Sequence, residues 1–242
     1  MNQYKIMKSI LLFLTFSLFT YSMNAQEKTP IEIGLSQQHK SIIIIAAQTA
    51  KGDLVNLKVA LSDGLDYGLT VNEIKEVLVH TYAYCGFPRS IRGLQTFMEV
   101  INERKAKGII DKMGKEASII KADDNKYERG KEILEELTKT PSPEKLVGYA
   151  AFAPIIDTFL KEHLFSDIFE RDILTYAQRE LVTLSVISAI GDAEPMLKSH
   201  IAIAFNVGFS PKQIKEFIVV IQPSIGIEKT KAAEKIITDL VK

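Results

Sequence analysis

The sequence predicts an all-α protein, a helical bundle made by duplicating one unit. Three observations carry that prediction. The stretch from Leu35 to Phe87 recurs in the same order from Leu174 to Ile227. Apolar residues in the second copy fall at 173, 174, 177, 181, 184 and 187, close to helical spacing. Helix-start and helix-stop residues stand at matching places in both copies.

Glycines anchor the repeat. Gly52-Asp53 pairs with Gly191-Asp192, Gly68 with Gly208 after one inserted residue, and Gly86 with Gly226. Ile74-Lys75-Glu76 pairs with Ile214-Lys215-Glu216. In the second copy a helix runs through RDILTYAQRELVTLSVISAI and stops at Gly191, leaving Asp192 to cap the next one. Pro195 falls in that helix's first turn, where a missing N–H does no harm, and Gly208 closes it. Ser210 and Pro211 open a third helix as N-cap and first residue, and Gln213 completes a capping box. Thr70 and Glu73 take those roles in the first copy. The last helix runs through EKTKAAEKIITDLV. The run IIII at 42–45 has strand-like content, but its place in the repeat assigns it to a helix.

Between the copies, DNKYERG at 124–130 reads as a polar surface link and TPSPEK at 140–145 as a turn. A helix containing APIIDTFLKEHLF extends the second copy at its start. The organisation expected is a signal peptide over 1–25, a first repeat over 27–115, a linker and helix over 116–144, and a second repeat over 145–242.

The N-terminus differs from the rest. Lys5 and Lys8 precede the apolar run ILLFLTFSLFTY, followed by SMNAQ. A basic start, a short apolar run and small residues before a cut are the pattern of an export signal, with cleavage expected after Ala25. The run is shorter than the ~20 apolar residues of a membrane span. An uncleaved anchor is the alternative. Export to the periplasm or the outside, with no stable membrane span after signal removal, is the expectation. Balanced charge, 30 basic against 30 acidic residues, argues against a nucleic-acid surface. The single cysteine, Cys85, allows no internal disulfide.

RELVTLSVISAIGD, LKSHIAIAFNVGFSPKQIKEFI and GLTVNEIKEVLVHTYAYCGFPRS together resemble the carboxymuconolactone decarboxylase family, which also contains alkylhydroperoxidase D. The resemblance covers nearly all of the chain after the signal, twice over. It implies the duplicated alkylhydroperoxidase D-like helical fold and a homo-oligomer, a trimer or hexamer. It also implies one of two chemistries: cofactor-free decarboxylation of a lactone acid, or dithiol peroxide reduction. The peroxidase branch carries Cys-x-x-Cys-x-x-x-His. Counted back from His200, the two cysteine positions hold Ala193 and Met196. A dithiol cycle needs an attacking thiolate and a resolving thiol, and this site has neither.

What remains of that motif is Glu180 and His200. They lie eleven residues before and nine after Gly191, so an antiparallel helix pair holds them at similar height. Both stand on apolar faces, where a carboxylate needs a partner. An imidazole can be that partner and carry a proton near neutral pH. The pair either moves protons for a reaction or only orients two helices. The first copy has Ser41 and Ala60 in these places.

Cys85 matches Ile225 of the second copy, which favours packing over reactivity. Arg89, in the first turn of a helix opened by Pro88, is a candidate for holding a substrate carboxylate. Tyr84 is a candidate hydrogen-bond donor to a ligand. His163 is placed to cap a helix or pair with Glu170, while His39 and His80 show no evident partners. Four scattered histidines give no metal-ligand spacing, and no glycine-rich phosphate loop occurs, so no metal and no cofactor are expected.

Three functional readings follow. The first is a cofactor-free lyase or isomerase acting on a small carboxylate or lactone, with Glu180 and His200 moving the proton. Arg89, Tyr84 and Cys85 would then line the substrate. The second is a thiol-dependent peroxidase using Cys85. The third is a non-catalytic binding or scaffold protein.

Overall fold

The computed structural model describes residues 34–120 and 125–240; the expected signal peptide over 1–25 and its cut at Ala25 lie outside them. The described residues form helices and no strand. In order they are α1 (Gln37–Lys51), α2 (Leu54–Asp66), α3 (Val71–Ala106), α4 (Lys126–Thr138), α5 (Gly148–Phe152), α6 (Pro154–Thr158), a π-helix (Phe159–Ile168), α7 (Tyr176–Ile190), α8 (Glu194–Asn206), α9 (Pro211–Ile225) and α10 (Ile227–Leu240). None is long and apolar enough to cross a membrane.

The two copies follow the same element order. α1, α2 and α3 in the first answer to α7, α8 and the α9–α10 pair in the second. α3 is one helix only by name. Gly86 breaks it with φ 80° and ψ 162°, and Gly226 breaks α9 from α10 with φ 82° and ψ 167°. Both are backbone conformations that side-chain-bearing residues rarely adopt.

The capping boxes form as the sequence predicts, at Thr70 with Glu73 and at Ser210 with Gln213. A third forms at Thr175 with Gln178, so α7 starts at Tyr176 rather than at Arg171. Asp192 does not cap α8. It takes a positive φ of 52°, and Ala193 occupies the N-cap position without a side-chain bond. Its counterpart Asp53 does cap α2, accepting from the Asn56 N–H.

α1 and α7 pack on each other at the centre, and each also carries the third helix of the other copy. Ile42, Ile43, Ile45, Ala46 and Ala47 on α1 are fully buried, as are Leu181, Val182, Leu184 and Val186 on α7. A helix covered over most of its surface needs apolar residues on most of its faces, which fits the run at 42–45 to a helix despite its isoleucines, with only Ile44 of the four half-buried. The polar residues among them bond back along their own helix: Thr49 donates to the Ile45 carbonyl at 2.7 Å and Ser185 to the Leu181 carbonyl at 2.6 Å.

The segment between the copies differs from its reading as a link. DNKYERG is helical from Lys126, the start of α4. Gly130 explains the contact α4 makes: a Cβ there would stand 1.8 Å from the Lys161 carbonyl oxygen, so only glycine lets the two backbones meet. α4 and the π-helix form one hairpin with its own small core of Ile133, Leu137, Leu164, Phe165, Ile168 and Phe169. That hairpin packs against Ile203 of the second copy, with Tyr82 and Tyr84 at its edge. His163 pairs with Asp167 at 3.1 Å and not with Glu170, which Arg129 holds at 2.8 Å.

One ion pair recurs at matching places in both copies. Glu76 meets Arg179 at 2.8 Å, and Glu216 meets Lys40 at 2.8 Å. The first pair is buried and the second is about a third exposed. Glu76→Gln leaves a buried guanidinium short of a counter-charge and is expected to destabilise the protein by about 3–5 kcal/mol. Lys40→Ala opens a water-washed pair and is expected to cost no more than about 1 kcal/mol. Urea unfolding of the two variants checks the contrast.

Candidate active site

α7 brings two neighbouring charges into the core. Arg179 and Glu180 are both fully buried. Their ion-pair partners come from different copies, Glu76 from the first and His200 from the second.

Arg179 faces the first copy. It donates to Glu76 Oε1 at 2.8 Å, to the Arg171 carbonyl at 2.5 Å and to His80 Nδ1 at 3.2 Å. Arg171 grips the same Glu76 through Nε at 3.0 Å and Nη2 at 2.9 Å. A guanidinium only donates, so His80 accepts at Nδ1 and keeps its proton on Nε2. That N–H meets the Thr183 hydroxyl at 3.1 Å, which donates onward to the Arg179 carbonyl at 3.0 Å. Burial, then the charge of Arg179, then that of His200, hold the His80 pKa well below the usual histidine value. The Phe169 and Tyr84 rings flank His80 at centroid distances of 5.3 and 5.4 Å, and Phe169 also lies under Arg179.

Glu180 faces the second copy. Its Oε2 accepts from His200 Nδ1 at 2.9 Å. The His200 side chain is 16% exposed, and no hydrogen bond among the described residues engages its Nε2. Glu180 therefore fixes the imidazole through one nitrogen and leaves the other free to take or give a proton. The Tyr84 ring stands edge-on to His200 at 6.0 Å.

Two polar atoms beside this pair are buried without a partner: Glu180 Oε1 and Tyr84 Oη. Thr183 lies next to the phenol, but its hydroxyl is committed to His80 and the Arg179 carbonyl. Burial pushes the Tyr84 pKa upward, so the phenol keeps its proton. An acceptor and a donor left open beside one imidazole are what a small polar guest can satisfy.

The other sequence candidates sit elsewhere. The half-buried Cys85 follows Tyr84, and its thiol donates to the Thr81 carbonyl at 3.1 Å. Burial pushes its pKa up to about 11, against the opposing pull of that bond and of Arg89. A thiol protonated at neutral pH is a poor nucleophile. Arg89 is exposed, with its guanidinium against Gly52 at the C-terminal end of α1. Its counterpart Lys229 donates to the Ala189 and Ile190 carbonyls at the end of α7. Both cations sit where a helix end favours positive charge. No hydrogen bond or ion pair among the described residues joins Arg89 to Glu180 or His200.

Glu76, His80, Arg171, Arg179 and Thr183 were not singled out from the sequence as site residues. One signal for them exists in the repeat: Lys40 and Arg179 match, and so do Glu216 and Glu76, so a base and an acid recur together. Among the described residues no three His, Cys, Asp or Glu side chains gather as a metal-binding group.

A pH dependence of stability follows from His80. Its folded pKa lies below the unfolded value of 6.5, so the folded form refuses a proton that the unfolded chain accepts. Its contribution is intact above pH 6.5 and is lost as pH falls below it. One such group gives a slope of up to about 1.4 kcal/mol per pH unit. Half-buried His39 shifts in the same direction through burial. Unfolding free energy measured from pH 7 to pH 5 is expected to fall, and His80→Gln is expected to flatten the curve without abolishing the His39 share.

Comparison with known proteins bears on the whole arrangement. The model of the Carboxymuconolactone decarboxylase family matches residues 19–97 and again 156–239. A comparison with curated proteins finds no match. The first family match spans α1, α2 and α3 past its break at Gly86, and the second spans the π-helix through α10. Two matches to one family, each on one copy of the same helical unit and together covering more than half of the chain, make this protein a two-copy member of the carboxymuconolactone decarboxylase family.

Proposed function

We propose that the protein catalyses cofactor-free proton transfer on a small carboxylate or lactone, as a decarboxylation or an isomerisation, with His200 as the acid–base group. The observation that carries this reading is the Glu180–His200 contact at 2.9 Å through Nδ1, with Nε2 unengaged. A carboxylate that holds one imidazole nitrogen sets the tautomer and orientation of the other, and such a nitrogen works as a general base or acid.

In an isomerisation, Nε2 removes a proton from a carbon beside the lactone carbonyl, and the electron pair passes into the conjugated system. The imidazolium, stabilised by Glu180, returns the proton at a second carbon. In a decarboxylation the carbon–carboxylate bond breaks, carbon dioxide leaves, and the electron pair enters the ring system. Protonated His200 then supplies the proton to carbon and is recharged from water. The Tyr84 phenol supplies a hydrogen bond to a developing oxyanion. A Cys85 peroxidase is the weaker reading, because its thiol is held protonated and no second cysteine exists to resolve a sulfenic acid. Export through the N-terminal segment and assembly into a trimer or hexamer belong to the same proposal.

The test is incubation of the full chain with a panel of carboxylated γ-lactones in heavy water, followed by proton NMR. Loss of the carboxylate or deuterium uptake at ring carbon is the expected result. His200→Ala is expected to lower the rate by about 10²-fold or more while the protein stays folded. Glu180→Gln, which keeps the shape but weakens the hold on Nδ1, is expected to lower it less. A parent inert towards the whole panel, or a His200→Ala variant that keeps the full rate, contradicts the proposal.

A further inference from the structure

We infer that the first copy holds a second small-molecule site, at the place where the second copy carries Glu180 and His200. The inference is independent of the acid–base reading.

Each copy frames a crevice with three helices. In the second copy these are α7, α8 and the first half of α3. Glu180, His200 and Tyr84 fill that crevice, and the hairpin of α4 and the π-helix packs over its edge through Ile203 and Tyr84. In the first copy the helices are α1, α2 and α9. There the three matching positions are Ser41, Ala60 and Ser224. Three large polar side chains are replaced by three small ones. The space they leave is a cavity of about 580 Å³, lined by all three together with Ile44, Gln48 and Val220. Val59 and Val219 at its rim are 58% and 69% exposed, so the crevice is open to solvent.

One of its lining residues, Gln48, carries an unmet valence beneath the surface. Gln48 is only 6% exposed, and its Nε2 donates to the Ser224 hydroxyl at 3.2 Å. Its Oε1 is buried with no partner. A buried acceptor is costly until something donates to it. Lys40 on the wall is already neutralised by Glu216 at 2.8 Å. Gln37, Asn56, Asp63 and Tyr67 also line the cavity and are exposed, so polar groups at its mouth surround an interior of Ile44, Ala60 and Val220. The guest this chemistry fits is a small, uncharged ring compound bearing one hydrogen-bond donor. Phenol is such a molecule, and toluene is its donor-free counterpart.

The experiment is a methyl NMR titration of the full chain with phenol and with toluene, read at Ile44 and Val220. The expected result is saturable shifts at both residues, with phenol bound at least five times more tightly. Gln48→Leu is expected to erase the preference for phenol while toluene still binds. Ala60→Leu is expected to abolish both, and Ser41→Leu fills the same space should the first variant fail to fold. The proposal is overturned by absence of saturable shifts, by unchanged phenol affinity in the filled variants, or by a preference for phenol that survives Gln48→Leu. Shifts that follow protein concentration and ignore phenol also overturn it, because a second copy of the chain then occupies the crevice.

Discussion

Two opposite charges, adjacent in the chain, have to be neutralised inside the core from two different directions. Arg179 and Glu180 on α7 impose that constraint, and much of the molecule is arranged to meet it. The first copy supplies Glu76 and His80 to Arg179. The second copy supplies His200 to Glu180. Neither partner set works alone, because an unpaired buried charge of either sign is strongly destabilising. The duplication therefore does more than add mass: the charge on α7 that faces the first copy holds the two halves in register, and the one that faces the second forms the candidate catalytic pair.

The two sides meet at Tyr84 and Thr183. Tyr84 lies edge-on to His200 and beside His80, while Thr183 closes the hydrogen-bond relay from His80 to the Arg179 carbonyl. His80 is kept neutral by burial and by its cationic neighbour, which suits it to accept from Arg179. The rigid side of the network thus ends next to the imidazole that has a free nitrogen. Phe169, the residue that caps the end of the π-helix, covers His80 and Arg179, strengthening their electrostatics by excluding water.

Much of this was legible in the sequence, and the parts that were not have physical reasons. The repeat carried the helix order and two capping boxes, which rest on local periodicity. The Glu180–His200 pairing came from the resemblance to the family motif, with spacing from the Gly191 turn setting the two at similar height. The hairpin of α4 and the π-helix was not legible, since it is held by contact between Gly130 and the Lys161 backbone, far apart in the chain and marked by no motif. Asp192 was read as a cap from its type, but the chain turns through a left-handed conformation there and passes the position to Ala193. Arg89 was read as an anion binder from its place in a first turn. The structure sets it against the end of α1, a contact visible only once the break at Gly86 folds the chain back. His80 showed no partner in sequence because both its partners come from the other copy.

The central claim is that Glu180 fixes the His200 tautomer so that Nε2 is the working nitrogen. Nitrogen-15 NMR of the histidine side chains tests it most directly. For the neutral imidazole, the account predicts a protonated Nδ1 and an unprotonated Nε2 in the parent, and loss of that bias in Glu180→Gln. A His200 that carries its proton on Nε2, or whose tautomer is indifferent to Glu180, contradicts the account.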